Sequence, residues 1–352
     1  MKLALALFAL TISARAQSAP PKMAIVGLLH SHVWSQLSQI AKRPIQLVGV
    51  AEPNKDLVAE AQKAGIADSL IFDDYVAMLD KTKPDFIWAF VENDRHLEIV
   101  KACASRHIHV IFEKPLAATY KDAVAIRDIS KKSNIFVMTN YQMAWWPAQY
   151  AAREAVDRGD VGKVYRIRGV VGHGGPGSDG VRNKIFFDWL TDPVKNGGGA
   201  LMDFGCYNAL WSLWYLGKPE TVYAVTQHLQ PERFPKVEDN ATLILHYKDA
   251  EAILEGSWDL PRSFQDLEVF GRKGVVTMVN GKAELRKGRD TTALTLPTLA
   301  PENGDPVSYM ANVVLTKKAP AGLVAVDINV GVVEIIEAAK ESIKTGKPVH
   351  LK

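Results

Sequence analysis

Ala24-Ile25-Val26-Gly27-Leu28-Leu29-His30-Ser31-His32-Val33-Trp34 is the stretch on which the fold turns. A short apolar β-rich run ends on a glycine, and the chain then passes through a turn into a helical pattern. The same alternation recurs downstream. Further strand candidates lie at 45–50, 69–72, 85–90, 108–112 and 135–139. Helical spacing separates them: Leu57, Val58, Ala61 and Ala64 ahead of Gly65, and Leu97, Val100 and Ala104 after Asn93 and Asp94. Strand, helix, strand, helix predicts a doubly wound parallel sheet of the Rossmann type over residues 22–140.

Beyond about residue 140 the period changes. A helix candidate at 148–158 gives way to alternating strands joined by tight turns: 241–247 with 252–258, and 267–270 with 275–279 across Gly271-Arg272-Lys273-Gly274. Alternation of this kind predicts an antiparallel sheet with one covered face, so residues 141–352 read as a second domain for substrate binding and oligomerisation. A closing amphipathic helix is predicted at 327–342, with Val330, Val333, Ile336 and Ala339 on one face.

With 47% hydrophobic and 23% charged residues and a net charge of +3, the chain has a globular composition, and no basic run with interleaved aromatics supports nucleic-acid binding. Its first residues place Lys2 before an apolar run at 3–12 and then Ala14-Arg15-Ala16, the pattern of a secretory signal over 1–16, with a leader at 17–21. Export to the periplasm or beyond is expected, with no membrane span once the signal is removed. Only Cys103 and Cys206 occur, so disulfides are not what holds this fold.

Chemistry is expected at the carboxyl ends of the parallel strands, where an open α/β sheet forms its ligand crevice. A dinucleotide turn uses glycines at its first, third and sixth positions; here only Gly27 is present, with Leu29 and His32 at the other two. Context strengthens this weak fingerprint, because Glu52 closes the second strand where an acid accepts ribose hydroxyls, which favours NAD over NADP. Lys55 and Arg43 lie near in sequence and pull toward a phosphate. The fourth and fifth strands end in Val91-Glu92-Asn93-Asp94-Arg95-His96 and Glu113-Lys114-Pro115.

This layout, Asn-x-x-His, a helix and a strand ending in Glu-Lys-Pro, resembles the Gfo/Idh/MocA oxidoreductases. The second domain extends the resemblance through Gly197-Gly198-Gly199-Ala200-Leu201-Met202-Asp203-Phe204-Gly205-Cys206-Tyr207. Tyr207 stands where many members carry histidine, which is similar to the glucose-fructose oxidoreductase and dihydrodiol dehydrogenase branch. The resemblance implies a nicotinamide cofactor, NAD ahead of NADP and tightly held in an exported protein. It implies cofactor contacts from Gly27, Leu29, His30, Glu52, Asn93, His96, Glu113 and Lys114, and catalysis by Lys114, Asp203 and Tyr207. It also implies a homodimer or homotetramer built through the antiparallel sheet.

Oxidising a carbinol requires a base for the hydroxyl proton, and an ammonium beside a phenol is expected to lower the phenol's pKa from about 10. If 203–216 is one helix, Asp203 and Tyr207 share a face; otherwise Asp203 serves as a helix cap. Trp145, Trp146, Trp189 and Trp258 are candidates for stacking on a sugar ring or for the core. The glycine-rich stretch 172–180 reads either as a mobile loop or as a long connection. His30, His32, His96, His107 and His109 show no metal-ligand spacing, so no metal is expected. The leading reading is hydride transfer to or from a sugar, sugar acid or glycoside carbinol. The alternatives are a glycoside hydrolase that oxidises a ring carbon transiently, and a non-catalytic sugar-binding protein on a decayed scaffold.

Overall fold

The computed structural model describes residues 19–351. The signal sequence read at 1–16 lies outside them.

The first layer alternates as expected: β1 (Lys22–Val26), α1 (Val33–Leu37), β2 (Gln46–Ala51), α2 (Lys55–Lys63), β3 (Ile71–Phe72), α3 (Tyr75–Thr82), β4 (Phe86–Ala89), α4 (His96–Ala104), β5 (His109–Glu113), α5 (Tyr120–Ser133) and β6 (Val137–Asn140). The strands form one parallel sheet in the order β3-β2-β1-β4-β5-β6. Every residue of β4, β5 and β6 is buried, which is why these strands read as continuous apolar runs instead of alternating ones. Side-chain caps fix the helix starts: Asn54 accepts from the Asp56 and Leu57 amides, Asp74 from Ala77, and Thr119 from Asp122.

The second layer opens with α6 (Pro147–Asp157), β7 (Val164–Gly172), α7 (Gly180–Leu190), α8 (Ala200–Asp203) and α9 (Gly205–Leu216). It continues through β8 (Thr221–Gln227), β9 (Asn240–His246), β10 (Glu251–Ser257), β11 (Phe264–Gly271), β12 (Gly274–Val279), β13 (Lys282–Lys287) and β14 (Asp290–Ala293), and ends with α10 (Pro306–Thr316), α11 (Val326–Thr345) and β15 (Val349–His350). Its nine strands run β14-β13-β12-β11-β7-β10-β9-β8-β15, antiparallel except where β7 pairs β10 in parallel. The fold is therefore a Rossmann sheet followed by a mainly antiparallel sheet.

Three expectations change. Residues 203–216 are not one helix: α8 ends at Asp203 and α9 begins at Gly205, with Phe204 between them. At the break β10 packs closely: a Cβ added at Gly256 would stand 3.0 Å from the Gly205 amide nitrogen and 3.3 Å from the Phe204 carbonyl carbon. The helix α11 also does more than close the second domain. Its Val330 and Val333 enter the core beneath the parallel sheet, and Lys131 of α5 pairs with Asp327 at 2.8 Å. Finally, the 172–180 stretch is pinned: the Arg233 guanidinium donates to the carbonyls of Gly174 and Pro176 at 2.8 and 2.7 Å. Cys103 and Cys206 are both buried free thiols.

Candidate active site

Gly27 leaves β1 at φ +81°, and a Cβ there would stand 2.5 Å from Val91 Cγ1 and 3.0 Å from the Phe90 carbonyl oxygen. Glycine is needed for both reasons, so the first position of the fingerprint is structurally genuine. The turn then leans over the end of β4: the Leu29 and His30 amides donate to the Phe90 carbonyl at 3.0 and 3.2 Å. Glu52, at the end of β2, accepts from the Leu28 amide at 2.7 Å and the Asn54 amide at 2.8 Å. Burial raises its pKa, and those two amides work against the rise.

Beside this turn lies a cavity of about 360 Å³ lined by Gly27, Leu29, Glu52, Asp73, Asp74 and Arg95 among others. Its position at the carboxyl ends of β1, β2 and β4 suits the adenosine half of a dinucleotide. Of the two cations that pulled toward a phosphate, Arg43 is engaged elsewhere, with Asp305 at 2.6 Å, whereas Lys55 pairs at 2.5 Å with Asp73 of the cavity wall.

At the end of β5, Glu113 is fully buried and Lys114 is 6% exposed, and the Lys114-Pro115 peptide is cis. The Lys114 ammonium is bound by the Asp203 carboxylate and donates to the Asp203 carbonyl at 3.0 Å. The other carboxylate oxygen of Asp203 accepts from the indole N–H of Trp258 at 2.8 Å. Burial opposes the ammonium, but Asp203 outweighs it and holds the Lys114 pKa above its ordinary value. For Asp203 burial likewise opposes the charge, and Lys114 together with Trp258 brings the pKa down. Asp203 is thus an ion-pair partner, with no side-chain capping bond.

Tyr207 lies one helical turn into α9 and is 4% exposed, with Lys114 Nζ 5.2 Å from its ring centroid and Tyr141 edge-on at 5.1 Å. The expected lowering by Lys114 is present but is outweighed. Burial raises its pKa, and the nearby Lys114 ammonium offsets that only in part.

Asn93 and His96 stand beneath the site. Asn93 Nδ2 donates to the carbonyl oxygens of Asn196, 2.8 Å to the side chain and 3.1 Å to the backbone, which ties the parallel domain to the glycine run at 197–199. His96 has no exposed surface; it stacks on Phe112 at 4.3 Å and its Nδ1 donates to the Leu116 carbonyl at 3.0 Å. Burial lowers its pKa to about 4. Through Nδ1 His96 supports the Glu113-Lys114-Pro115 loop, while its buried Nε2 has no hydrogen-bond partner among the described residues. Trp258 is likewise fully buried and Trp189 is 3% exposed against His30, so neither offers a face to a sugar.

The sequence reading missed the partners of these groups. Asn140, ending β6, donates to Glu113 at 2.9 Å and is itself oriented by the Trp145 indole N–H at 2.8 Å. Its place at a strand's carboxyl end was the available signal. His173, from the pinned stretch, lies edge-on to Phe204 at 5.0 Å; burial lowers its pKa, while Asp203 opposes the shift. The histidines are brought together with an acid that lies far from them in sequence: His30, His32 and Glu113 each offer a ligand atom, and all lie within 4.8 Å of one another.

Comparison with known proteins agrees with this geometry. Residues 22–141 match an oxidoreductase family with an NAD-binding Rossmann fold, and residues 150–277 match the C-terminal domain named GFO/IDH/MocA. The chain is 28% identical over 311 residues to D-xylose 1-dehydrogenase (NADP(+)) 2 of Haloferax volcanii, covering 83% of this chain and 89% of that one. It is 24% identical to human trans-1,2-dihydrobenzene-1,2-diol dehydrogenase, covering 72% of each. Its fold superposes on the aldose-aldose oxidoreductase of Caulobacter crescentus with a TM-score of 0.81 at 21% identity, covering 94% of this chain and 99% of that one.

Proposed function

This chain belongs to the GFO/IDH/MocA family of oxidoreductases with an NAD-binding Rossmann fold, and from that premise we propose that it interconverts a sugar or glycoside carbinol and the matching carbonyl, with NAD as the preferred cofactor. One observation carries the reading: the buried Lys114 ammonium, fixed by Asp203, stands over the Tyr207 ring beyond the end of β5. The sugar substrates named for the xylose and aldose relatives support the substrate class.

The crevice fits a dinucleotide through the glycine-only corner at Gly27 and the acidic cavity beside Glu52. A nicotinamide dinucleotide bound there would supply the hydride acceptor or donor. This chain's own residues manage the oxygen and its proton. Lys114 offers ammonium protons to the substrate oxygen and stabilises negative charge developing on it. Tyr207, a protonated phenol at neutral pH, donates a proton when the carbonyl is reduced and must be deprotonated to accept one when the carbinol is oxidised. The apolar leader at 3–12 with Ala14-Arg15-Ala16 supports export, and the uncovered face of the nine-stranded sheet, with Val225 and Ile244 exposed, supports homo-oligomerisation.

The test is to incubate the purified protein with NAD or NADP and a panel of aldoses and nitrophenyl glycosides, following reduced-cofactor absorbance and product mass. The expected outcome is accumulation of NADH with a product two hydrogens lighter. Nitrophenol release without net NADH, or no turnover across the panel, overturns the reading.

A further inference from the structure

The turn after β1 carries His30 and His32 to the end of β5, where they meet Glu113. Ligand atoms of the three lie within 4.8 Å of one another, and the closest pair, His32 Nδ1 and Glu113 Oε2, is 2.9 Å apart. We propose that His30, His32 and Glu113 form a binding site for a zinc-type divalent cation at the mouth of the crevice.

Two imidazoles and one carboxylate are a donor set suited to a borderline-soft ion such as Zn²⁺; an all-oxygen set would suit Mg²⁺ or Ca²⁺. Three protein ligands leave a coordination position for an oxygen of water, phosphate or a sugar hydroxyl. The surroundings are arranged as a metal site requires. Asn140 holds the Oε1 oxygen of Glu113 at 2.9 Å and leaves Oε2 facing the histidines, while Trp145 fixes the Asn140 amide in turn. His30 is enclosed by Phe186 and Trp189, with ring centroids 5.1 and 5.8 Å away, and is 3% exposed. His32 keeps a quarter of its side chain exposed, which gives an ion a way in. An ion would take the place of the 2.9 Å contact between His32 Nδ1 and Glu113 Oε2, while Gln142 lies 3.4 Å from the opposite ring nitrogen, His32 Nε2. The nearest ammonium, Lys114, is already neutralised by Asp203.

The site stands independently of the proposed reaction, because it is measured on cofactor-free protein. Untagged protein stripped with a chelator is titrated with Zn²⁺ by calorimetry and with Co²⁺ by visible absorption. The expected result is one Zn²⁺ per chain and a Co²⁺ spectrum free of thiolate charge-transfer bands. His32→Ala and Glu113→Gln should each weaken Zn²⁺ binding at least 10-fold, and Asn140→Ala about 10- to 100-fold, with circular dichroism confirming that each variant is folded. Because Glu113 is buried, His32→Ala, at a partly exposed position, is the decisive variant if Glu113→Gln does not fold. Absence of stoichiometric Zn²⁺ binding, or binding unchanged in His32→Ala, overturns the proposal.

Discussion

Lys114 reaches across 89 residues of sequence to Asp203, and its ammonium is held by both the carboxylate and the backbone carbonyl of that residue. The pair joins the end of β5 to the break between α8 and α9, so the two domains meet at the charged centre of the site. Both side chains are more than nine-tenths buried. Removing one partner leaves the other charge stranded, which costs roughly 3–5 kcal/mol. Asp203→Ala is expected to lose about that much in chemical denaturation, and Asp203→Ala combined with Lys114→Met to recover most of it. A double variant as unstable as the single one would show that the loss comes from packing and not from the stranded charge.

Tyr207→Phe removes one hydroxyl from a ring held by Tyr141, Lys114 and Phe204 and leaves its packing intact. Turnover should fall roughly 10²- to 10⁴-fold, the usual contribution of a positioned proton-transfer group. Dinucleotide affinity, measured by fluorescence titration, should change little. Parallel loss of affinity would remove Tyr207 from its assigned role.

The pH dependence follows from the same residue. Burial raises the Tyr207 pKa above the ordinary phenol value and Lys114 offsets this incompletely, so the phenolate is scarce at neutral pH. Carbinol oxidation should therefore speed up as pH rises through the alkaline range, whereas carbonyl reduction, which uses the phenol, should stay flat across neutrality. A kcat/KM profile for oxidation that levels off below about pH 8 would assign the proton to a different group.

Much of this was legible in one dimension because the signals are local. The fully buried β4, β5 and β6 announce themselves as apolar runs, and Glu113-Lys114-Pro115 marks a strand end at the ligand crevice. What escaped is long-range or depends on tight packing. The His32 and Glu113 contact spans 81 residues and requires the first turn to lean over β4, which no spacing rule encodes. Trp258 stayed open between a sugar-stacking face and the core because nothing near it in sequence shows that its indole N–H serves Asp203. The break at Phe204 falls at a position that carries no proline and no glycine to announce it. The direction of Tyr207's pKa differs for a related reason: the lowering by Lys114 was foreseen, but the burial that outweighs it was not.

Gly27→Ala tests the one glycine of the fingerprint that remains. At φ +81° a Cβ is strained, and it would also meet Val91 Cγ1 at 2.5 Å. The expected cost is about 1–3 kcal/mol of stability, together with loss of dinucleotide binding as the turn is pushed away from β4. Leu29→Ala leaves the backbone corner intact and should retain measurable binding. Equal loss in both variants would place the effect in side-chain packing instead of in the backbone path.

Cofactor choice rests on the acidic wall around the cavity beside Glu52. Asp73 and Asp74 line it with Glu52, and Lys55 is drawn to Asp73 at 2.5 Å in an exposed pair. A 2′-phosphate entering there would meet carboxylates, so NAD should bind at least about 10-fold more tightly than NADP, a difference of roughly 1.4 kcal/mol. Asp73→Ala releases Lys55 from an exposed ion pair that itself contributes little to stability. Calorimetry should then show the NADP deficit narrowing while NAD affinity holds. If NADP already binds as tightly as NAD to the unmodified protein, Glu52 and Asp73 do not set the preference, and the ribose must approach from the Arg95 side of the cavity.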